Sequence, residues 1–306
     1  MISLKVTPTL LLNRFVLTTV IAAALFGVQV PASAGKLLRG AFTGLAVASI
    51  VSHAYAASRH TSSNQQATPR EGGAVGDCTR QLPMGRAPTF SDAAKRSGLH
   101  QICYEEYTVA FSEKTRTPLW SAEHLTAERI LAARRMPRKN TFHEEPSLPA
   151  DARSQLKDFV RSGYDRGHMS PSGDFSNASS QNETFSLANM VPQEPNNNRH
   201  LWEGIESGTR NYAVSSGSVY VITGPLFVGK DISFLNNRVA IPTQIFKLLY
   251  DPVKKTGGVY LVDNVDTQVI SWLSIADFER RAGMGFGIGA PALMTMPKTS
   301  QHFPKN

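Results

Sequence analysis

Three apolar, β-branched runs follow one another in the second half of the chain: SVYVITGPLF (218–227), RVAIPTQIFKLLYD (238–251) and GGVYLVDNV (257–265). Such runs suit the pleated, buried surface of a sheet. Two more precede them, ICYEEYTVAF (102–111) and TPLWSAEHLT (117–126), across a turn around Lys114 and Thr115. ETFSLANMVP (183–192) reads as a further short strand ending at Pro192. Helical patterns are short and scattered. ADARSQLKDFVRSG (150–163) closes at Gly163, and SIADFERRAGMGF (274–286) has Ser274 and Asp277 at capping-box spacing and closes at Gly283. Strands without regular βαβ alternation predict an α+β fold: a central antiparallel β-sheet with flanking helices.

The composition is that of a globular chain, 41% apolar and 18% charged over 306 residues, except at the start, where no Asp or Glu occurs up to Arg70. Lys5 and Arg14 precede FVLTTVIAAALFGVQV and PASAG, which predicts a signal peptide over 1–34 cut after Ala34. A second apolar run after Lys36 and Arg39 offers a later cut, after Ala56. A secreted or periplasmic protein follows, with no membrane span after processing. The alternatives are an uncleaved leader that anchors the chain in a membrane, or a mitochondrial transit segment. ASRHTSSNQQATPREGGAVG (57–76) reads as a flexible tether, which leaves 77–306 as the functional domain. Removing residues 1–56 takes away four basic residues and no acids and lowers the net charge from +8 to +4, which permits a polyanionic partner without demanding one. Cys78 and Cys103 are the only cysteines, and in an exported chain they most simply pair. They cannot build a thiolate zinc site alone, so a metal would rely on oxygen and imidazole ligands.

Two segments carry chemistry. YDRGHMSPSGDF (164–175) sets an acid, a base, a glycine and an imidazole side by side, then turn formers. NNNRHLWEGIESGTRNYA (196–213) follows Pro195 and opens with asparagines, which are good N-caps. Counted at about 100° per residue, Leu201, Trp202, Ile205, Thr209 and Tyr212 share one buried face with Asn198. An amide on that face either caps backbone donors or offers its carbonyl oxygen to a hard cation. Arg199/Glu203 and Glu206/Arg210 stand at i,i+4 spacing, which ordinary surface ion pairing explains equally well. His200 falls on the far side of the helix, and His124 and His143 lack companion residues.

DRGHMSPSGDF followed by LANMVPQEPNNNRHLWEGIE resembles, in order and spacing, the signature of the DNA/RNA non-specific endonucleases. These are sugar-non-specific nucleases with a ββα-metal active-site motif, and the group includes mitochondrial endonuclease G. The likeness extends over roughly residues 100–290. It implies His168 as general base, Asn198 as direct ligand of Mg²⁺ (with Mn²⁺ as the alternative ion) and Arg166 beside the base. It also implies Asn189 as an active-site asparagine, Glu206 holding the hydrated metal through water and Arg210 facing phosphate, while Asp165 orients the loop. DNA and RNA would be cut to 5′-phosphate ends through contacts to phosphate and sugar, which carry no base information. A homodimer is among the assemblies allowed. Two rivals stand beside this reading: a metal-dependent phosphoesterase acting on small phosphodiesters, and a non-catalytic nucleic-acid-binding envelope protein.

Overall fold

The computed structural model describes residues 78–299, which lie in one of the chain's two compact units, residues 67–306. The leader read over 1–34 and the tether over 57–76 lie outside the described residues. The main sheet is built from β1 (Leu99–Cys103), β2 (Tyr107–Ser112), β3 (Thr117–Thr126), β6 (Ser218–Leu226), β7 (Gln244–Asp251), β8 (Thr256–Asp263) and β9 (Ser271–Leu273). A separate ribbon pairs β4 (Asp165–His168) with β5 (Met190–Gln193). The sheet runs β9-β8-β7-β6-β3-β2-β1, antiparallel throughout, and β10 (Ala292–Leu293) joins β8 in parallel. Helices α1 (Ala127–Ala133), α2 (Ala178–Glu183), α3 (Glu203–Ser216) and α4 (Ile275–Ala282) flank it. The expected α+β architecture holds.

Both faces of the sheet are covered, and β7 shows how. Phe246, Leu248 and Tyr250 join a cluster closed by Phe278 of α4 and Phe286. Ile245 and Leu249 join the opposite cluster, under Trp202 and Ile205. Burial on both sides explains why these strands read as continuous apolar runs rather than alternating ones. Lys247 lies on the second face by the same alternation and is almost fully buried. Capping of α4 is as expected: Ser274 Oγ accepts from Asp277 N, and Gly283 ends the helix in the left-handed region at φ 61°.

Four expectations need correction. ICYEEYTVAF is two strands, β1 and β2, joined by a turn in which Tyr104 N donates to Tyr107 O. RVAIPTQIFKLLYD breaks at Pro242, which has no N–H for a ladder, and pairing resumes at Gln244. ADARSQLKDFVRSG forms only a 3-10 turn, Leu156–Phe159, because Leu156 and Val160 stay exposed and leave no apolar stripe to bury. Finally, the strand of ETFSLANMVP runs past Pro192 to Gln193, after a 3-10 turn over Leu187–Asn189. Cys78 and Cys103 are bridged, with Cα atoms 5.6 Å apart, which ties the chain's first described turn to β1.

Candidate active site

The β4–β5 ribbon presents one half of an open cleft of about 540 Å³. Pairing of Gly167 with Val191 and His168 with Met190 leaves the Gln193 side chain lying on Gly167. A Cβ there would stand 2.1 Å from Gln193 Oε1, so no larger residue fits between Arg166 and His168. His168 packs against Phe185 at 5.1 Å between ring centroids and Phe142 at 5.7 Å. Its Nε2 is buried without a hydrogen-bond partner among the described residues. Burial first, then the positive charges of Arg138 and Arg166, push the imidazole pKa down to about 3, so the ring is neutral at ordinary pH. The two guanidiniums rest on the same aromatic pair, Arg166 4.1 Å from the Phe142 centroid and Arg138 5.4 Å from Phe185.

The other half is the start of the α3 helix. Residues Asn197–Trp202 form a π-helical turn ahead of α3, and a wider turn of this kind shifts the helix phase by a residue. The three asparagines consequently do three different jobs, none of them capping. Glu194 caps instead, its Oε2 accepting from Asn197 N at 2.6 Å. Asn196 Nδ2 donates to Asp266. Asn197 takes the buried position expected for Asn198: its Nδ2 donates to Asp263 O and Val265 O, and its Oδ1 accepts from Gln193 Nε2. Asn198 is half-buried and lines the cleft, with Nδ2 donating to Asp165 Oδ2 at 3.0 Å. A carboxylate only accepts, so the amide nitrogen must face Asp165, and Oδ1 is left without a partner among the described residues. Arg199 gives Asp165 two further bonds, at 2.8 and 2.6 Å, instead of pairing with Glu203. Leu201, Trp202, Ile205 and Thr209 are buried as expected, and His200 is exposed.

Further along the helix, Glu206 and Arg210 reach the same cleft. Burial raises the Glu206 carboxyl to about 7, against the opposing pull of Lys247 and Arg210. Arg210 lies 3.0 Å from Asp174, 3.7 Å from Glu203 and 4.0 Å from Glu206, so its charge is already met by three carboxylates. Asn189 stands apart from these residues. It is fully buried and does not line the cleft; its Nδ2 donates to Ser170 O and Thr184 O while its Oδ1 accepts from Ser170 N. With both amide atoms bonded to backbone, it stitches the segment after His168 to β5. Beneath the cleft lies a polar floor unforeseen in the sequence. Lys247 Nζ donates to Thr223 Oγ1, and burial pushes the Glu123 carboxyl well above its usual range. The alternation in β3 and β7 carried the only signal for these two residues. Arg138 and Phe142 come from a loop that has no periodic pattern at all.

The sequence profile described as DNA/RNA non-specific endonuclease matches residues 86–293. The chain belongs to this family. Nuclease C1 of Cunninghamella echinulata var. echinulata is 33% identical over 202 residues, covering 60% of this chain and 80% of that protein. The mitochondrial nuclease EXOG of Danio rerio is 33% identical over 213 residues, 62% of this chain and 61% of its own length. Human mitochondrial endonuclease G is 35% identical over 164 residues, 50% of this chain and 55% of its own. The chain therefore spans four fifths of the first relative and less than two thirds of the other two. The crystal structure of the EndoG/EndoGI complex superposes with a TM-score of 0.57 at 31% identity, over 61% of this chain and 85% of that one. Membership in the non-specific endonuclease family makes the chain a hydrolase acting as a DNA/RNA endonuclease. Among the described residues, no helix is long and apolar enough to cross a membrane.

Proposed function

We propose that this endonuclease hydrolyses phosphodiester bonds of DNA and RNA to 5′-phosphate ends, with His168 as general base and one Mg²⁺ held by Asn198. What supports the reading is the joint opening of a neutral imidazole and a free amide oxygen into one cleft, from two segments joined by Asp165. His168 Nε2 is buried without a partner, so Nδ1 is the ring nitrogen left to take a proton in the cleft. An imidazole kept in the base form takes a water proton directly. A pKa near 3 is low for that task, and an anionic phosphate in the cleft shifts it upward by favouring the charged ring.

Asn198 suits a hard cation, since its nitrogen is committed and its oxygen is not. No three His, Cys, Asp or Glu side chains among the described residues gather into a metal cage, which fits an ion that keeps most of its waters. Glu203 and Glu206 project from the same helix into the cleft, where they would hold those waters. When bound, such an ion would supply charge neutralisation at the phosphate, beside the residues that hold it. Arg166 and Arg138, steadied on Phe142 and Phe185, offer planar donor sets to phosphate oxygens. None of these groups reads a base edge, which is the physical basis for cutting both polymers.

For the compartment, the acid-poor leader and the Cys78–Cys103 bridge favour export into an oxidising space, while the mitochondrial relatives favour the transit alternative. N-terminal sequencing of the native protein from fractionated cells decides between them. The activity is tested by plasmid nicking and RNA degradation in Mg²⁺ and in EDTA. We expect both polymers to be cut only with metal. A phosphoesterase of small diesters would leave them intact, and a binding protein would retain them unchanged.

A further inference from the structure

Two aspartates bracket the base in sequence: Asp165 stands three residues before His168 and Asp174 six after it. Both reach the helix that carries Asn198. Asp165 binds its start, at Asn198 and Arg199, and Asp174 Oδ1 accepts from Arg210 Nη1 at 3.0 Å. Asn198 and Arg210 are 12 residues apart. At a rise of about 1.5 Å per residue, that separates the two attachments by roughly 18 Å. The loop is thus fastened to the helix at two distant points, with His168 between them.

The second attachment is firmly built. Asp174 is 2% exposed, its N–H donates to Pro171 O at 3.0 Å, and its carbonyl accepts from Arg129 Nε at 2.9 Å. Arg129 is in turn fixed by the carbonyls of His124 and Glu106, with its guanidinium 4.3 Å from the Phe175 centroid. Gly173 lets Arg210 lie directly on the loop: a Cβ there would stand 3.3 Å from Arg210 Nη1. Surrounded by three carboxylates, this guanidinium serves as an anchor before it serves as a phosphate donor.

We propose that Asp174 is a positioning residue that acts through Arg210, holding the His168 loop at a set distance from the helix of Asn198 and Glu206. The ribbon and Asn189 hold the loop to β5, while Asp165 and Asp174 are its two side-chain links to the helix, so losing the second should let the loop shift relative to the helix. The inference rests on the roles assigned above to His168 and Asn198.

Asp174→Asn keeps the size and removes the charge. On a duplex oligonucleotide at saturating Mg²⁺, kcat should fall about 10- to 100-fold, the usual cost of an ångström-scale misplacement. KM and the Mg²⁺ half-saturation should move less than about threefold, because Asn198 keeps its bond to Asp165. Asp174→Glu should recover part of kcat. Arg210→Gln should lose a similar amount, and the double variant should be no worse than the poorer single, since both break one link. Multiplying losses, a loss borne by KM, or Asp174→Asn within twofold of wild-type kcat would each overturn the proposal. If Asp174→Asn does not fold, Gly173→Val displaces the guanidinium without removing a charge and should lower kcat at unchanged KM; wild-type kcat there would also overturn it. Wild-type cleavage is the control. If it is absent the functional reading fails, and if it is present in wild type and variant alike only the Asp174 link fails.

Discussion

Asp165→Asn should weaken Mg²⁺ binding about 10- to 100-fold and leave kcat at saturating metal within a few-fold of wild type. The Asp165 carboxylate accepts one bond from Asn198 and two from Arg199. Arg199 is 63% exposed, so solvent screens that pair and its loss should matter little. The Asn198 bond decides the outcome. It is made to a carboxylate whose side chain is only 20% exposed, and a hydrogen bond to a charged group contributes about 1.5–3 kcal/mol. An amide at 165 both donates and accepts, so it no longer dictates which end of Asn198 faces the cleft. Losing most of that orientation corresponds to about 1.4–2.7 kcal/mol in metal affinity, or the 10- to 100-fold stated. The assay is cleavage rate against free Mg²⁺, paired with calorimetric titration of Mg²⁺ into substrate-free protein. Unchanged half-saturation, or a lost rate that no Mg²⁺ concentration restores, would refute the view that Asp165 acts by aiming Asn198.

Three further outcomes follow from the same geometry. The pKa of His168 is depressed from 6.5 to about 3, so the stability it contributes is present above 6.5 and is lost as pH falls toward 3. By pH 4 the wild type should have lost up to about 3 kcal/mol more than His168→Asn, judged by urea midpoints, and parallel curves would contradict this. Burial raises the Glu206 carboxyl to about 7, so it is neutral below that pH; kcat/KM should fall below pH 7, and Glu206→Gln should abolish that limb. An unchanged limb in Glu206→Gln would assign it to another group. Gly167→Ala should cost about 1–3 kcal/mol, since its Cβ would overlap Gln193, which also holds Asn197. A thermal melt within 1 °C of wild type would show that the ribbon shifts without strain.

Much of this molecule was legible in its sequence, and the parts that were not share a cause. Strand β3 stands where TPLWSAEHLT reads as a strand, because its Leu119, Trp120, Ala122 and Leu125 suit the buried surface of a sheet. Helix α4 was legible from Ser274 and Gly283 because caps are local chemistry. His168, Arg166, Asn198, Glu206 and Arg210 do meet in one cleft. What pattern reading missed depends on partners distant in sequence. Asn197 rather than Asn198 faces inward, because a π-helical turn changes the phase and the partners of Asn197 lie at Asp263 and Val265. Asn189 looked reactive in a motif, but its neighbours Ser170 and Thr184 occupy its amide. Asp174 stood in plain view in YDRGHMSPSGDF, yet only its contact with Arg210 gives it a role.

If a neutral His168 takes the proton from the attacking water, its removal should slow the chemical step rather than substrate binding. Single-turnover cleavage of one oligonucleotide by wild type and His168→Ala, at saturating Mg²⁺ and equal fold stability, tests it most directly. Loss of a general base should slow the variant by about 10²- to 10⁴-fold, with substrate binding retained. Equal rates in the two proteins would rule out His168 as the general base.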